Sequence, residues 1–162
     1  MKKSKLILCA LVVAGCARPA ESADAPELPA VQSEEDEVVA VVLSLFEAMR
    51  TNDGELAASV FHPTARMGRA QADGISFNGP EGFIEAVGRD KDVVWDEPIW
   101  DWEVHVDDRL AHMWTKYAFY AGDEFSHCGV DAIDLYKTDD GWKITQLIDT
   151  MRREDCWFPP GR

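Results

Sequence analysis

The 162-residue chain is poor in positive charge: 16 Lys and Arg stand against 30 Asp and Glu, a formal net charge of −14. A surface of that sign repels phosphate backbones, so no nucleic-acid partner is expected. Long apolar runs are scarce too. The N-terminal LILCALVVAG, residues 6–15, is too short to cross a bilayer. Cysteines number only four, with no Cys-x-x-Cys spacing, which is a poor zinc signature. Also missing are a nucleophile elbow, a phosphate loop, an HExxH helix and a Gly-rich dinucleotide fingerprint. Neither a metal nor a cofactor is expected.

What the N-terminus does have is the layout of an export signal: Lys2, Lys3 and Lys5, then the apolar core, then small residues. Its ending, Val13-Ala14-Gly15-Cys16, resembles the bacterial lipobox, in which cleavage precedes a cysteine acylated on its thiol. Residues 1–15 therefore read as a lipoprotein signal peptide and Cys16 as the lipidation site. Acyl chains would attach the protein to the membrane, in the bacterial cell envelope at the outer membrane or the periplasmic face. Losing three lysines leaves 13 basic against 30 acidic residues, a formal charge of −17. Cys128 and Cys156 then remain, an even pair in an oxidising compartment. A disulfide is expected, two free buried thiols being the alternative.

Residues 16–33 carry the lipidated Cys16 and a tether rich in proline, small residues and acids, with a coil reach on the order of 20 Å. Residues 34–162 fit one domain. Ser33 followed by Glu34, Glu35 and Asp36 predicts a helix start, with Val38, Val41, Val42, Leu45, Phe46 and Met49 at helical spacing. A short second helix follows Asp53 and stops at Pro63, and a third opens at Pro80. Between them, ARMGRAQADGISF reads as an extended segment broken at Asp73-Gly74. After Pro98 the period becomes two, and turns near residues 107–108, 122–125 and 138–141 predict four meandering strands. The expected fold is α+β, a cone-shaped curved antiparallel sheet with three helices packed on its concave face.

Pairing the strands through those turns puts Trp100, Trp102, Met113, Tyr117, Asp134, Leu147 and Asp149 on the inner face. Cys128 also looks inward, while His105, His112, His127, Asp131, Trp114, Ile133, Trp142, Ile144 and Ile148 fall outside. Asp149, Asp134 and Tyr117 are the catalytic candidates: carboxyls among apolar neighbours titrate near neutrality, and a phenol can donate to a developing oxyanion. The alternative is that Arg66 or Arg69 neutralises the carboxylates. Candidate ligand-binding residues are His62, Trp100, Trp102, Met113, Tyr117 and Leu147. His62 either faces the pocket mouth or caps the second helix.

The stretches RTNDGELAASVFHPTARM, FNGPEGFIEAV and HMWTKYAFYAGDEFSHCGVDAIDLYKTDDGWKITQLIDTMRREDC resemble the nuclear transport factor 2-like superfamily, in its SnoaL-like and lumazine-binding branches. The resemblance spans about residues 34–156. It implies a pocket between helices and curved sheet and a homodimer through the outer sheet face. The superfamily includes ketosteroid isomerase, scytalone dehydratase and limonene epoxide hydrolase, alongside members that catalyse nothing. Ile133-Asp134-Leu135 is similar to the isomerase's strand aspartate motif, whereas the first helix has no tyrosine. The expected function is an envelope lipoprotein that binds a small apolar or aromatic molecule. The alternatives are a cofactor-free lyase, isomerase or hydrolase using the pocket Asp and Tyr residues, and a non-catalytic interaction module. Mass spectrometry of the purified protein tests the N-terminal reading: diacylglycerol on Cys16 is expected, and a chain beginning at Ala17 or later would contradict it.

Overall fold

A computed structural model describes residues 33–161. The expected signal peptide, Cys16 and almost all of the expected tether lie outside the described residues. Ser33 starts the first helix as expected: its hydroxyl accepts from the Asp36 N–H and the Asp36 carboxylate accepts from the Ser33 N–H, both at 3.1 Å. This reciprocal cap and four acids in the first turn favour α1 (Glu34–Thr51), which ends at Asn52 in the left-handed region. Asp53 caps α2 (Gly54–Val60) through the Leu56 N–H at 2.8 Å. The third helix, α3 (Glu81–Val87), follows Pro80.

The strands are β1 (Phe61–Gln71), β2 (Gly74–Asn78), β3 (Trp95–Asp96), β4 (Ile99–Asp107), β5 (Leu110–Ala121), β6 (Glu124–Thr138) and β7 (Gly141–Thr150). They form one sheet in the order β2-β1-β7-β6-β5-β3, with β4 also paired to β5. The α+β class and the curved sheet beneath three helices agree with expectation, but the sheet is larger than a four-stranded meander and is mixed. The segment read only as extended is the β1–β2 hairpin, and β1 runs parallel to β7. His62, expected at the end of α2, lies within β1. The β1–β7 pairing breaks between Phe61 and Arg66, around Pro63, which has no N–H to contribute to a ladder.

Extra residues in three ladders decide which way side chains point. In β4 the register shifts between Trp100 and Glu103, where Asp101 takes a φ of 51°. Trp100 is thereby paired with Lys116 and turned away from the cavity, while Ile99 pairs with Tyr117. In β6, Phe125 pairs with Tyr120 and His127 with Phe119, so Ser126 is unmatched. The turn is tighter than expected, occupying only Gly122 and Asp123, and the bulge offsets this by one residue. The resulting register differs from the expected one by a single residue, which reverses every side chain of β6 beyond Ser126. His127, Asp131 and Ile133 therefore face inward, and Cys128 and Asp134 outward. In β7, Thr145 is the unmatched residue, so Trp142 and Ile144 join the core and Leu147 and Asp149 stay on the inner side.

Val38, Val42, Leu45 and Met49 of α1 pack against Met113, Ile133, Leu135 and Ile144 of the sheet, and Ala57, Val60 and Val87 extend this core beneath the short helices. On the opposite face, Trp100, Ala118, Tyr120 and Phe125 form a smaller cluster. The C-terminal segment crosses that face, tied by the expected Cys128–Cys156 disulfide and by paired backbone hydrogen bonds between Cys128 and Arg152 at 2.9 Å. Arg152 stacks on Trp157 at 3.9 Å, and Phe158 packs edge-on against Phe125.

Gly129 is where these layers approach most closely. A Cβ there would lie 1.8 Å from the Thr150 carbonyl oxygen and 2.7 Å from the Tyr117 ring. Gly129→Ala is expected to cost about 3 kcal/mol through this backbone clash. Urea unfolding checks it, and an unchanged midpoint would contradict the packing.

Candidate functional site

A cavity of about 830 Å³ opens between the concave end of the sheet, α1, α3 and the β1–β2 hairpin. Helix residues Leu45, Phe46, Met49 and Phe83 give it an apolar wall. The sheet contributes Tyr117, His127, Asp131, Leu147 and Asp149, β1 contributes Arg69, and the link before β4 contributes Glu97. Pro98 favours extended backbone at Glu97, which directs that link along the cavity rather than into a helix.

Arg69 and Asp149 are cross-strand partners on β1 and β7. Arg69 Nε donates to Asp149 Oδ1 at 3.0 Å and Oδ2 at 2.8 Å, and Nη2 lies 2.6 Å from Oδ2. These hydrogen bonds raise the guanidinium above its ordinary pKa, against a smaller opposing effect of burial. The Tyr117 hydroxyl donates to the Thr150 carbonyl at 2.9 Å and lies 3.4 Å from Asp149 Oδ2. Burial first, then the charges of Asp149, Glu97 and Asp131, raise the phenol so that it stays protonated.

Asp131 lies in one row with Thr115 and Asp149 and is only 2% exposed. Among the described residues no donor reaches its Oδ2. Burial, and then Glu97 and Asp149, raise it well above the usual carboxylate range. Burial and Asp149 likewise push Glu97 up to about 8, with Arg69 opposing. His127 is held below its ordinary value by burial and then by Arg69, so its imidazole is neutral at pH 7. It packs on Phe119 and Tyr117 at ring distances of 5.1 and 5.7 Å, with Nδ1 3.0 Å from Ser126 Oγ. The cavity thus holds one ion pair, a Glu97 carboxyl able to exchange its proton near neutrality, and an Asp131 carboxyl raised well above the usual range.

Of the residues expected here, Tyr117, Leu147 and Asp149 line the cavity. Asp134 does not: it sits on the outer face, with Oδ1 2.8 Å from His112 Nδ1 and Oδ2 accepting from Gln146 at 2.9 Å. Met113 is sealed in the core, Trp100 is buried on the opposite face, and Trp102 is 42% exposed beside the β4 bulge. His62 bonds Thr64 Oγ1 at 2.9 Å and meets Tyr136 edge-on, away from the cavity. Of the two expected arginines only Arg69 reaches a carboxylate there; Arg66 bonds Gln146 and stacks on Phe77. Glu97, Asp131 and His127 are the site residues that sequence reasoning missed. The placing of Glu97 directly before Pro98 in the apolar VVWDEPIW was a usable signal, whereas Asp131 and His127 depended on the Ser126 bulge. Among the described residues no group of His, Cys, Asp or Glu is arranged to hold a metal ion.

The raised carboxyls give stability a definite pH dependence. The fold retains protons on Glu97 and Asp131 that the unfolded chain releases above the ordinary values of 4.5 and 3.8. Each contribution is complete below the ordinary value and is lost as pH rises, towards about 8 for Glu97, by at most about 1.4 kcal/mol per pH unit for each retained proton. Urea unfolding at pH 5, 6.5 and 8 should show stability falling, with a shallower decline in Glu97→Gln and Asp131→Asn. Identical slopes in all three proteins would contradict the burial of these acids.

No family model matches the chain, and no curated protein matches it by sequence. Solved structures do. A protein of unknown function from Mycobacterium tuberculosis is 20% identical with a TM-score of 0.60, covering 74% of this chain and 76% of its own. A candidate dehydratase of the NTF2-like family from Streptomyces avermitilis is 15% identical with a TM-score of 0.60, covering 74% and 96%. An NTF2-like protein with a cystatin-like fold from Novosphingobium aromaticivorans is 7% identical with a TM-score of 0.62, covering 76% and 84%. Three helices on a curved, unclosed, mixed seven-stranded sheet, matched by these structures, give residues 33–161 the nuclear transport factor 2-like fold.

Proposed function

We propose that this domain binds a small organic molecule in its cavity and acts as a lipid-anchored component of the bacterial envelope. The observation that carries the binding reading is the cavity itself. Its volume, about 830 Å³, lies within the range of small-molecule sites, and an apolar helix wall faces a few convergent polar groups. The lipobox-like Val13-Ala14-Gly15-Cys16 supports the envelope location. Exposed Trp102, Leu110, Trp114 and Tyr136 on and around the outer sheet face support a homodimer through that face. Ile133, once counted with that surface, belongs to the core.

A second reading, a cofactor-free lyase, isomerase or hydrolase, is favoured by Glu97 and Asp131. Asp149 is engaged by Arg69 and Tyr117 donates to a backbone carbonyl, so neither is the free base or donor first sought. Glu97 would instead exchange the proton, and protonated Asp131 would donate a hydrogen bond to developing negative charge. The likeness to a candidate dehydratase is compatible with this chemistry and selects no substrate.

Native mass spectrometry of protein purified from its own host is expected to show a co-purifying small molecule. In Gly82→Trp, where a new side chain enters open space on the cavity wall, that mass should be lost while the melting temperature is retained. A ligand that survives this substitution would place binding elsewhere.

A further inference from the structure

We propose that the cavity accepts an organic cation, a small partly apolar molecule with one protonated nitrogen that binds against Asp131 and Glu97. This rests on the reading that the cavity binds a small molecule, and it names the chemical class.

The first argument is the distribution of charge around the cavity. Asp131 on β6, Asp149 on β7, Glu97 before β4 and Glu81 on α3 all line it, and Arg69 on β1 is the cation among the lining residues. Arg69 is already engaged by both oxygens of Asp149. Tyr117 on β5 donates its hydrogen bond to the Thr150 carbonyl, and His127 on β6 is uncharged at neutral pH. An anionic ligand would have to compete with Asp149 for Arg69 while facing the remaining carboxyls. A neutral hydrocarbon would give Asp131 nothing.

Asp131 supplies the second, independent argument. It is 98% buried as a residue, lines the cavity, and has an Oδ2 that no donor reaches among the described residues. A buried polar oxygen without a partner is costly, and a ligand N–H is the group that would satisfy it. An ammonium group offers three such donors and a charge that favours ionised Asp131 and Glu97. The rest of the wall suits the organic part of such a ligand: Phe46, Phe83 and Tyr117 present aromatic surface, Met49 and Met67 adaptable thioethers.

Binding is then linked to protons. Below pH 8 Glu97 carries a proton that an incoming ammonium group would expel to solvent. Affinity should therefore rise as pH increases from 6 to 8, with protons released at the lower end from Glu97 and from Asp131, which the ammonium group also favours in its ionised form. Asp149 and Arg69 remain paired throughout, Tyr117 stays protonated, and His127 stays neutral at the upper end of this range.

Isothermal titration calorimetry of the purified protein with benzylamine, benzyl alcohol and benzoate tests this, in two buffers of different ionisation enthalpy to count protons. Benzylamine is expected to bind on the order of tenfold tighter than either analogue, from one charge-assisted hydrogen bond with a desolvated carboxylate. It should release protons at pH 6, and Asp131→Asn should lose the preference for benzylamine over benzyl alcohol. The proton count on the unaltered protein serves independently of whether the variant folds. Equal or tighter binding of benzyl alcohol or benzoate would overturn the cation class and leave small-molecule binding standing. No binding by any of the three would count against both.

Discussion

The ion pair between Arg69 and Asp149 links the architecture to the chemistry. It joins β1, from the first half of the chain, to β7, the final strand, across the parallel step in an otherwise antiparallel sheet. It also sets the electrostatic state of the cavity. One guanidinium neutralises Asp149 and leaves Glu97 and Asp131 beside it, where desolvation and like charges oppose ionisation. Asp149 is nearly buried while Arg69 is 40% exposed, so removing either partner should cost on the order of 2 kcal/mol, less than in a fully enclosed pair. The larger consequence is electrostatic: without Arg69, Asp149, Glu97 and Asp131 would face one another with no compensating charge among the lining residues.

Local signals in the sequence were enough to locate most elements. Ser33 with Asp36, Asp53 before α2 and Pro80 before α3 are caps and starts whose physics acts within three residues, and each stands where the spacing predicts. The alternation after Pro98 marked the long strands, and the even pair of cysteines left beyond the N-terminal segment pointed to the Cys128–Cys156 bridge. The parallel pairing of β1 with β7 was not legible, because it depends on contacts about 80 residues apart that leave no period in either strand.

The candidate site was legible only in part for a related reason. Tyr117, Leu147 and Asp149 reach the cavity because the errors in turn and bulge did not reverse their faces. Asp134 and Asp131 lie three residues apart on one strand, and alternation guarantees that they point oppositely. Choosing between them required the unmatched Ser126, whose effect is a single-residue offset in a ladder of regular length. Trp100 and Trp102 were displaced by a similar offset at Asp101. A period of two makes faces easy to group and hard to assign, since one inserted residue preserves the grouping and exchanges inside for outside.

The chemistry of the cavity depends on half-buried Glu97 and fully buried Asp131 facing it as protonated acids beside the Arg69–Asp149 pair. Carbon-detected NMR titration of the side-chain carboxyls, assigned with Glu97→Gln and Asp131→Asn, tests it most directly. Glu97 is predicted to titrate near pH 8, and Asp131 well above the ordinary aspartate range. Midpoints for both residues near the ordinary carboxylate values, about 4, would contradict it.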